Sequence, residues 1–184
     1  MAQNYEINPV SAITAGAVGE PGRRVFYIQA RTLNQIVTLI AEKEQVQTLA
    51  HGIQQFLAEI DKQYPKPHED PPVGPLDLEL RGPFEPNFRV SQMGLGYDAE
   101  TDRVVLVAHE LVAEDTEAGS NTPAREPDTA RFWATRAQMR AMSDHALEIA
   151  ARGRPTCPLC GRPEDAEGHF CPKRNGHSRM LVTT

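Results

Sequence analysis

The segment QIVTLIAEKEQVQTLAHGIQQFLAEI, residues 35–60, changes its hydrophobic period part-way along. Residues 35–43 are rich in β-branched side chains and predict a strand. From Glu44 onward, apolar side chains recur at three- and four-residue steps, which predicts an amphipathic helix of about twenty residues. These side chains are Val46, Leu49, Ile53, Phe56, Leu57 and Ile60. A strand followed directly by a helix indicates a mixed α and β fold.

Two further strands are predicted on the N-terminal side of this segment. Residues 12–19 alternate small and apolar side chains, and residues 23–30 are rich in β-branched and aromatic ones. The sequence Glu-Pro-Gly at 20–22 is a turn signal between them. Together they predict a β-hairpin that precedes the strand at 35–43.

A second block follows with the same order of elements. It comprises two strands around a polar turn (88–113), a polar loop (114–128), a strand (130–135) and a helix (136–152). The helix has Met139, Met142, Ala146 and Ile149 on one face, and Gly153 and Pro155 end it. We therefore predict an internal repeat of two ββ(β)α halves.

The predicted fold is α+β. It consists of one antiparallel sheet built from the two halves, at about 5–63 and 88–153, with both helices on one face. The opposite face then needs a partner, or the sheet must curl. The connector at 64–87 contains seven prolines and predicts an extended segment, with a short edge strand near 76–80. Residues 1–153 would form this domain.

Composition and charge exclude several classes of protein. The chain has 184 residues and a net charge of −6, which argues against a protein whose main role is to grip nucleic acid. The N-terminal residues lack a basic region followed by an apolar one, so no signal peptide is predicted. No apolar run is long enough to span a membrane. We expect a soluble cytoplasmic protein.

All three cysteines lie in one short segment, CPLCGRPEDAEGHFC, residues 157–171. An odd number of cysteines in such spacing fits a reducing compartment and thiolate ligands better than disulfides. Cys157-x2-Cys160 can place two sulfurs on one zinc ion, and Cys171 is the expected third ligand. The fourth ligand is His169, two residues before Cys171, or alternatively His177. Residues 154–184 would form a zinc-knuckle tail.

Two other readings of these cysteines remain open. Cys157 and Cys160 could form a redox pair, although such pairs usually lie at a helix N-terminus after a strand, whereas this one follows a helix. The three could also be unrelated buried or free thiols. A zinc site with four good ligands would be structural, because a catalytic site keeps one position open.

Three stretches carry a resemblance to a known family, and it covers nearly the whole chain. They are GAVGEPGRRVFYIQA at 16–30, MGLGYD at 93–98 and CPLCGRPEDAEGHFCPKRNGH at 157–177. The chain resembles DUF3090, a family of uncharacterised bacterial proteins. The resemblance implies a cytoplasmic protein without an established activity. The Gly168-His169-x-Cys171 step of the family pattern also favours His169 over His177, whose position is less typical of it.

No arrangement of catalytic residues is legible in the sequence, so it predicts no catalytic site. The leading hypothesis is a non-enzymatic zinc-binding adaptor or regulatory protein that docks a protein partner. One alternative is an enzyme that acts on a phosphorylated or nucleotide-like small molecule, in a cleft between the halves. Another is contact with nucleic acid through the zinc ribbon. The partner and the oligomeric state stay open.

Overall fold

The computed structural model describes residues 2–65, 75–112, 125–153 and 156–162, together with Cys171 and Lys173. This part of the chain forms an α+β fold with seven strands and two helices. The strands are β1 (Asn4–Ile7), β2 (Ala12–Val18), β3 (Val25–Arg31), β4 (Ile36–Ala41), β5 (Phe88–Asp98), β6 (Arg103–Glu110) and β7 (Thr129–Ala134), and the helices are α1 (Lys43–Gln63) and α2 (Arg136–Ala151). Six strands and both helices were expected from the sequence, whereas β1 was missed.

The strands form one sheet in the order β1-β7-β6-β5-β4-β3-β2. The prediction of an antiparallel sheet is wrong at two places, because β4 pairs with β5 and β1 pairs with β7 in parallel. The sheet is therefore mixed. The physical reason at β4 and β5 is the long crossover between them, which contains α1 and returns the chain to the same end of the sheet.

The sheet curls strongly, because its two outer strands are consecutive in the chain. Only residues 8–11 separate β1 from β2, so Ile7 and Ala12 can lie at most about 18 Å apart. A flat seven-stranded sheet would place its outer strands about 29 Å apart. Residues 8–11 form backbone hydrogen bonds to strands near both outer edges of the sheet. Val10 N–H donates to the Trp133 carbonyl of β7 at 2.9 Å, and Ser11 N–H donates to the Arg31 carbonyl of β3 at 2.8 Å.

The helices pack on one face of this curled sheet and fill its core. α1 and α2 contact each other, and α2 also packs against β2. A capping box begins each helix, with Glu42 and Gln45 at α1 and Thr135 and Gln138 at α2. The helical core residues include Val46, Leu49, Ile53, Leu57 and Ile60 of α1 and Met139, Met142 and Ala146 of α2. All five apolar α1 positions named here were expected from the sequence.

Residues 75–87 cover the opposite face of β2, β3 and β4. Thr14 Oγ1 donates to the Leu78 carbonyl at 2.6 Å. The side-chain amide of Gln29 donates to the Arg81 carbonyl and accepts from the Arg81 N–H, both at 2.9 Å. The predicted edge strand near 76–80 is absent from this described segment. The segment crosses the face of the sheet and bonds to side chains, so it has no strand edge to pair with.

The order of elements is the same in the two halves, β2-β3-β4-α1 and β5-β6-β7-α2. That the halves form a structural repeat stays a prediction, and so do the predicted domain boundaries. Most of the polar loop predicted at 114–128 lies outside the described residues, as do residues 163–170 and 174–184 of the predicted tail.

Candidate metal centre

A tight turn after α2 presents the first two cysteines. The N–H of Cys157 donates to the Arg162 carbonyl, and the N–H of Gly161 donates to the Cys157 carbonyl, both at 2.8 Å. These two bonds close a loop with Cys157 and Cys160 at either end of the turn. Gly161 has φ +71°, a left-handed conformation that suits glycine because it lacks a Cβ atom. The sequence CPLCG therefore folds as a knuckle.

Cys171 joins these two residues from further along the chain. The three sulfur atoms lie within 4.8 Å of one another, and the sulfurs of Cys157 and Cys171 are 3.9 Å apart. None of the three cysteines forms a disulfide, which would need sulfurs at about 2.05 Å. Sulfurs bound tetrahedrally to one zinc ion at about 2.3 Å lie about 3.8 Å from each other. The spacing therefore fits a shared metal ion.

The surroundings of the Cys157 sulfur also suit a thiolate ligand. Cys157 and Cys171 are buried, with 5% and 3% of their surface exposed. Backbone N–H groups of Cys160 and Leu159 donate to the Cys157 sulfur and lower the pKa of its thiol. The Arg162 N–H lowers the pKa of the Cys160 thiol, but burial and the two neighbouring sulfurs outweigh it and raise that pKa overall.

This arrangement brings together three of the predicted ligands, and they could hold a metal ion. Soft thiolates select metals such as zinc over magnesium or calcium. The two candidates for the fourth ligand, His169 and His177, lie outside the described residues, so the choice between them stays a prediction.

A family model described as "Protein of unknown function (DUF3090)" matches residues 5–171, nearly the whole chain. The chain belongs to the DUF3090 family. The match begins at the second residue of β1 and ends at Cys171, so it includes the other six strands, both helices and all three cysteines. No curated protein and no solved structure was found to match this DUF3090 chain.

The structure also contains a groove away from the three cysteines. It lies between α1 and β5, has a volume of about 800 Å³, and includes Leu49, Phe56, Met93 and Leu95 in its lining. We refer to it as the α1–β5 groove. A glycine in the middle of the α1 pattern, Gly52, was the available sequence signal for it. Neither α1 nor α2, the helices of the described residues, has the length and hydrophobicity that a membrane crossing requires.

Proposed function

We propose that this DUF3090 protein is a zinc-binding adaptor, in which the metal organises the C-terminal tail and the folded domain docks a protein partner. The metal ligands are Cys157, Cys160, Cys171 and His169. The convergence of three cysteine sulfurs within 4.8 Å, two of them on buried residues, carries the proposal. Cysteine and histidine are the residues that zinc prefers in closed tetrahedral sites.

A structural role for the ion follows from its surroundings. Four protein ligands would complete the coordination shell and leave no position for a substrate or a reactive water. The cysteines also lie outside the main hydrophobic cluster, which is formed by the sheet and the two helices. The binding energy of the ion would therefore serve to order the tail, as in other small metal-dependent segments. Its thiolates require a reducing compartment, which supports a cytoplasmic location.

The adaptor role is supported by the α1–β5 groove. It lies where the two halves, which we take as a ββ(β)α repeat, meet at β4 and β5. Its floor is apolar, and two carboxylates, Glu44 and Glu59, are part of its lining. Carboxylates repel phosphate, so the groove favours a protein partner over a phosphorylated small molecule. The net charge of −6 likewise disfavours nucleic acid.

Elemental analysis of protein purified without chelators tests the metal site. We expect about one zinc ion per chain in the intact protein, and loss of that ion when Cys157→Ser removes one ligand. Cobalt substitution should give the absorption bands of a tetrahedral thiolate site. The matched pair His169→Ala and His177→Ala identifies the fourth ligand, since only the first should weaken metal binding.

Two results would contradict the zinc proposal. One is that protein purified without chelators contains no metal and has three thiols that react in a thiol titration. The other is a disulfide between any two of the cysteines in protein kept under reducing conditions. The proposed partner interface lies on α1 and β5 and uses none of the metal ligands, so its test is independent of the zinc site.

A further inference from the structure

β5 has a free edge along most of its length. Val90 and residues 92–98 pair with β6 on one side, whereas on the other side β4 pairs only with Phe88 and Arg89. The Gln45 side-chain amide then donates to the carbonyls of Val90 and Ser91, at 3.2 and 3.0 Å. In the described part of the chain, no strand pairs with this edge from Gln92 to Asp98.

The helix α1 packs against β5 beyond the end of the pairing with β4, and the α1–β5 groove separates the two. The contact between them extends from Gln45, which bonds to Val90, to Tyr64, the residue after the helix. The ring of Tyr64 lies 5.1 Å from the ring of Tyr97. A helix bonds its own backbone groups, so it cannot satisfy the edge of a strand. The edge therefore presents unpaired N–H and C=O groups above a helical surface, which is the template for strand addition.

The α1–β5 groove supplies an apolar floor under this edge. Phe56, Met93 and Leu95 line it and are only partly buried. In a strand, every second side chain points to the same face. A strand added beside β5 would thus direct alternate side chains onto this floor and the opposite set toward solvent.

Two glycines along the groove have no structural requirement to be glycine. A Cβ atom on Gly52 would approach only Leu95, at 4.0 Å, and one on Gly94 would meet nothing within 4 Å. Neither has a positive φ. A glycine inside a helix costs about 1 kcal/mol relative to alanine. The absence of a large side chain at Gly52 instead keeps the groove open between α1 and β5.

Charge indicates the chemistry of the occupant. Glu44 and Glu59 both line the groove and are exposed, and Glu59 has only a weak contact with Lys62 at 3.8 Å. Their positions on α1 differ by fifteen residues, or about 22 Å, which an extended peptide covers with about seven residues. A second copy paired antiparallel at the same edge would bring Glu44 of one chain near Glu59 of the other. Basic residues at both ends of a peptide would complement these carboxylates instead.

We propose that the α1–β5 groove binds an extended segment of a protein partner, about seven residues long, by strand addition to the free edge of β5. The segment has alternating apolar residues and a lysine or arginine near each end. This inference identifies the docking surface of the proposed adaptor and rests on that function. It does not depend on the metal site.

A random heptapeptide library displayed against the intact, metal-loaded protein tests this proposal. We expect enrichment of peptides with alternating apolar residues and basic ends. Gly52→Leu should weaken binding of the selected peptides by about tenfold or more, because the new side chain fills the groove. Gly52→Ala is the matched control: its methyl group makes an ordinary contact with Leu95, so binding should persist, and the melting temperature should not fall.

Three further measurements decide the mode of binding. Hydrogen exchange should show protection of β5 amides when the selected peptide is bound, and Glu44→Gln with Glu59→Gln should weaken binding at low salt. Cys157→Ser should leave peptide binding unchanged, so a failure of the zinc proposal and a failure of this one are distinguishable.

Several outcomes would overturn the strand-addition proposal. They are failure to enrich any peptide, enrichment of acidic peptides, and equal binding to Gly52→Leu. A fourth is that the β5 amides are protected from hydrogen exchange in the free protein and lose this protection when residues 174–184 are deleted. In that case the groove holds the tail of the chain itself and not a partner.

Discussion

Arg136, the first residue of α2, joins three elements through a buried guanidinium. It is 3% exposed and bonds to Asp61 at 2.9 Å, to Asp102 at 2.8 Å, to the Tyr64 carbonyl at 3.0 Å and to the Tyr97 hydroxyl at 2.9 Å. Burial lowers the pKa of Arg136, but hydrogen bonds to Tyr97 and Asp61 outweigh it and raise that pKa overall. The network could not be inferred from the sequence, because its members are far apart in the chain.

Removal of this guanidinium should destabilise the whole domain. We expect Arg136→Ala to lower the free energy of unfolding by about 3 kcal/mol, because its carboxylate partners lose a buried counter-charge. Urea titration measures the change. Arg131→Ala is the control, since its pair with Glu6 is exposed and should contribute no more than about 1 kcal/mol. Equal losses in the two variants would show that the network does not hold α2 in place.

At the scale of elements, the connector at 75–87 is a layer of the fold, whereas the sequence predicted an extended link with a short edge strand. It forms hydrogen bonds with polar side chains that are buried on the outer face of the sheet, and Arg31 is the charged one. Arg31 donates to the Glu79 carbonyl at 2.8 Å and forms an ion pair with Asp77. The hydrogen bond from Arg31 lowers the pKa of Asp77, against an opposing effect of burial.

This pKa shift predicts a loss of connector stability in acid. A carboxyl group whose pKa is lowered in the folded state stabilises that state at pH values above the unfolded pKa of 3.8. This contribution is lost as the pH falls through the lowered pKa. Limited proteolysis of the connector should therefore accelerate as the pH drops below about 4. Asp77→Asn should show fast cleavage already at neutral pH, whereas Glu79→Gln, an exposed carboxylate on the same segment, should behave like the intact protein.

At the scale of the whole molecule, the hydrophobic core and the proposed metal site lie in different parts of the described chain. The curled sheet and its helices have an extensive hydrophobic core, whereas the three cysteines lie outside that cluster. The link at residues 8–11 joins the two outer strands of the sheet and bonds to both sides of it. The domain should therefore fold without the metal ion.

Removal of the metal should leave the main unfolding transition nearly unchanged. We expect a strong chelator to lower the melting temperature of the domain by less than about 4 °C, which corresponds to about 1 kcal/mol for a chain of this size. Scanning calorimetry measures that transition, and hydrogen exchange at residues 156–162 should rise at the same time. A collapse of the main transition would instead show that the ion organises the whole domain.

The sequence by itself determined the two helices, six of the strands and the grouping of the three cysteines. Each of these depends on a local pattern. Examples are the hydrophobic period along residues 35–60 and the spacing of Cys157 and Cys160. Only the tertiary structure decided the strand at Asn4–Ile7, the parallel pairing of β4 with β5 and the free edge above the α1–β5 groove. These features arise from contacts between residues far apart in the chain, and such contacts leave no periodic signal in the sequence around them.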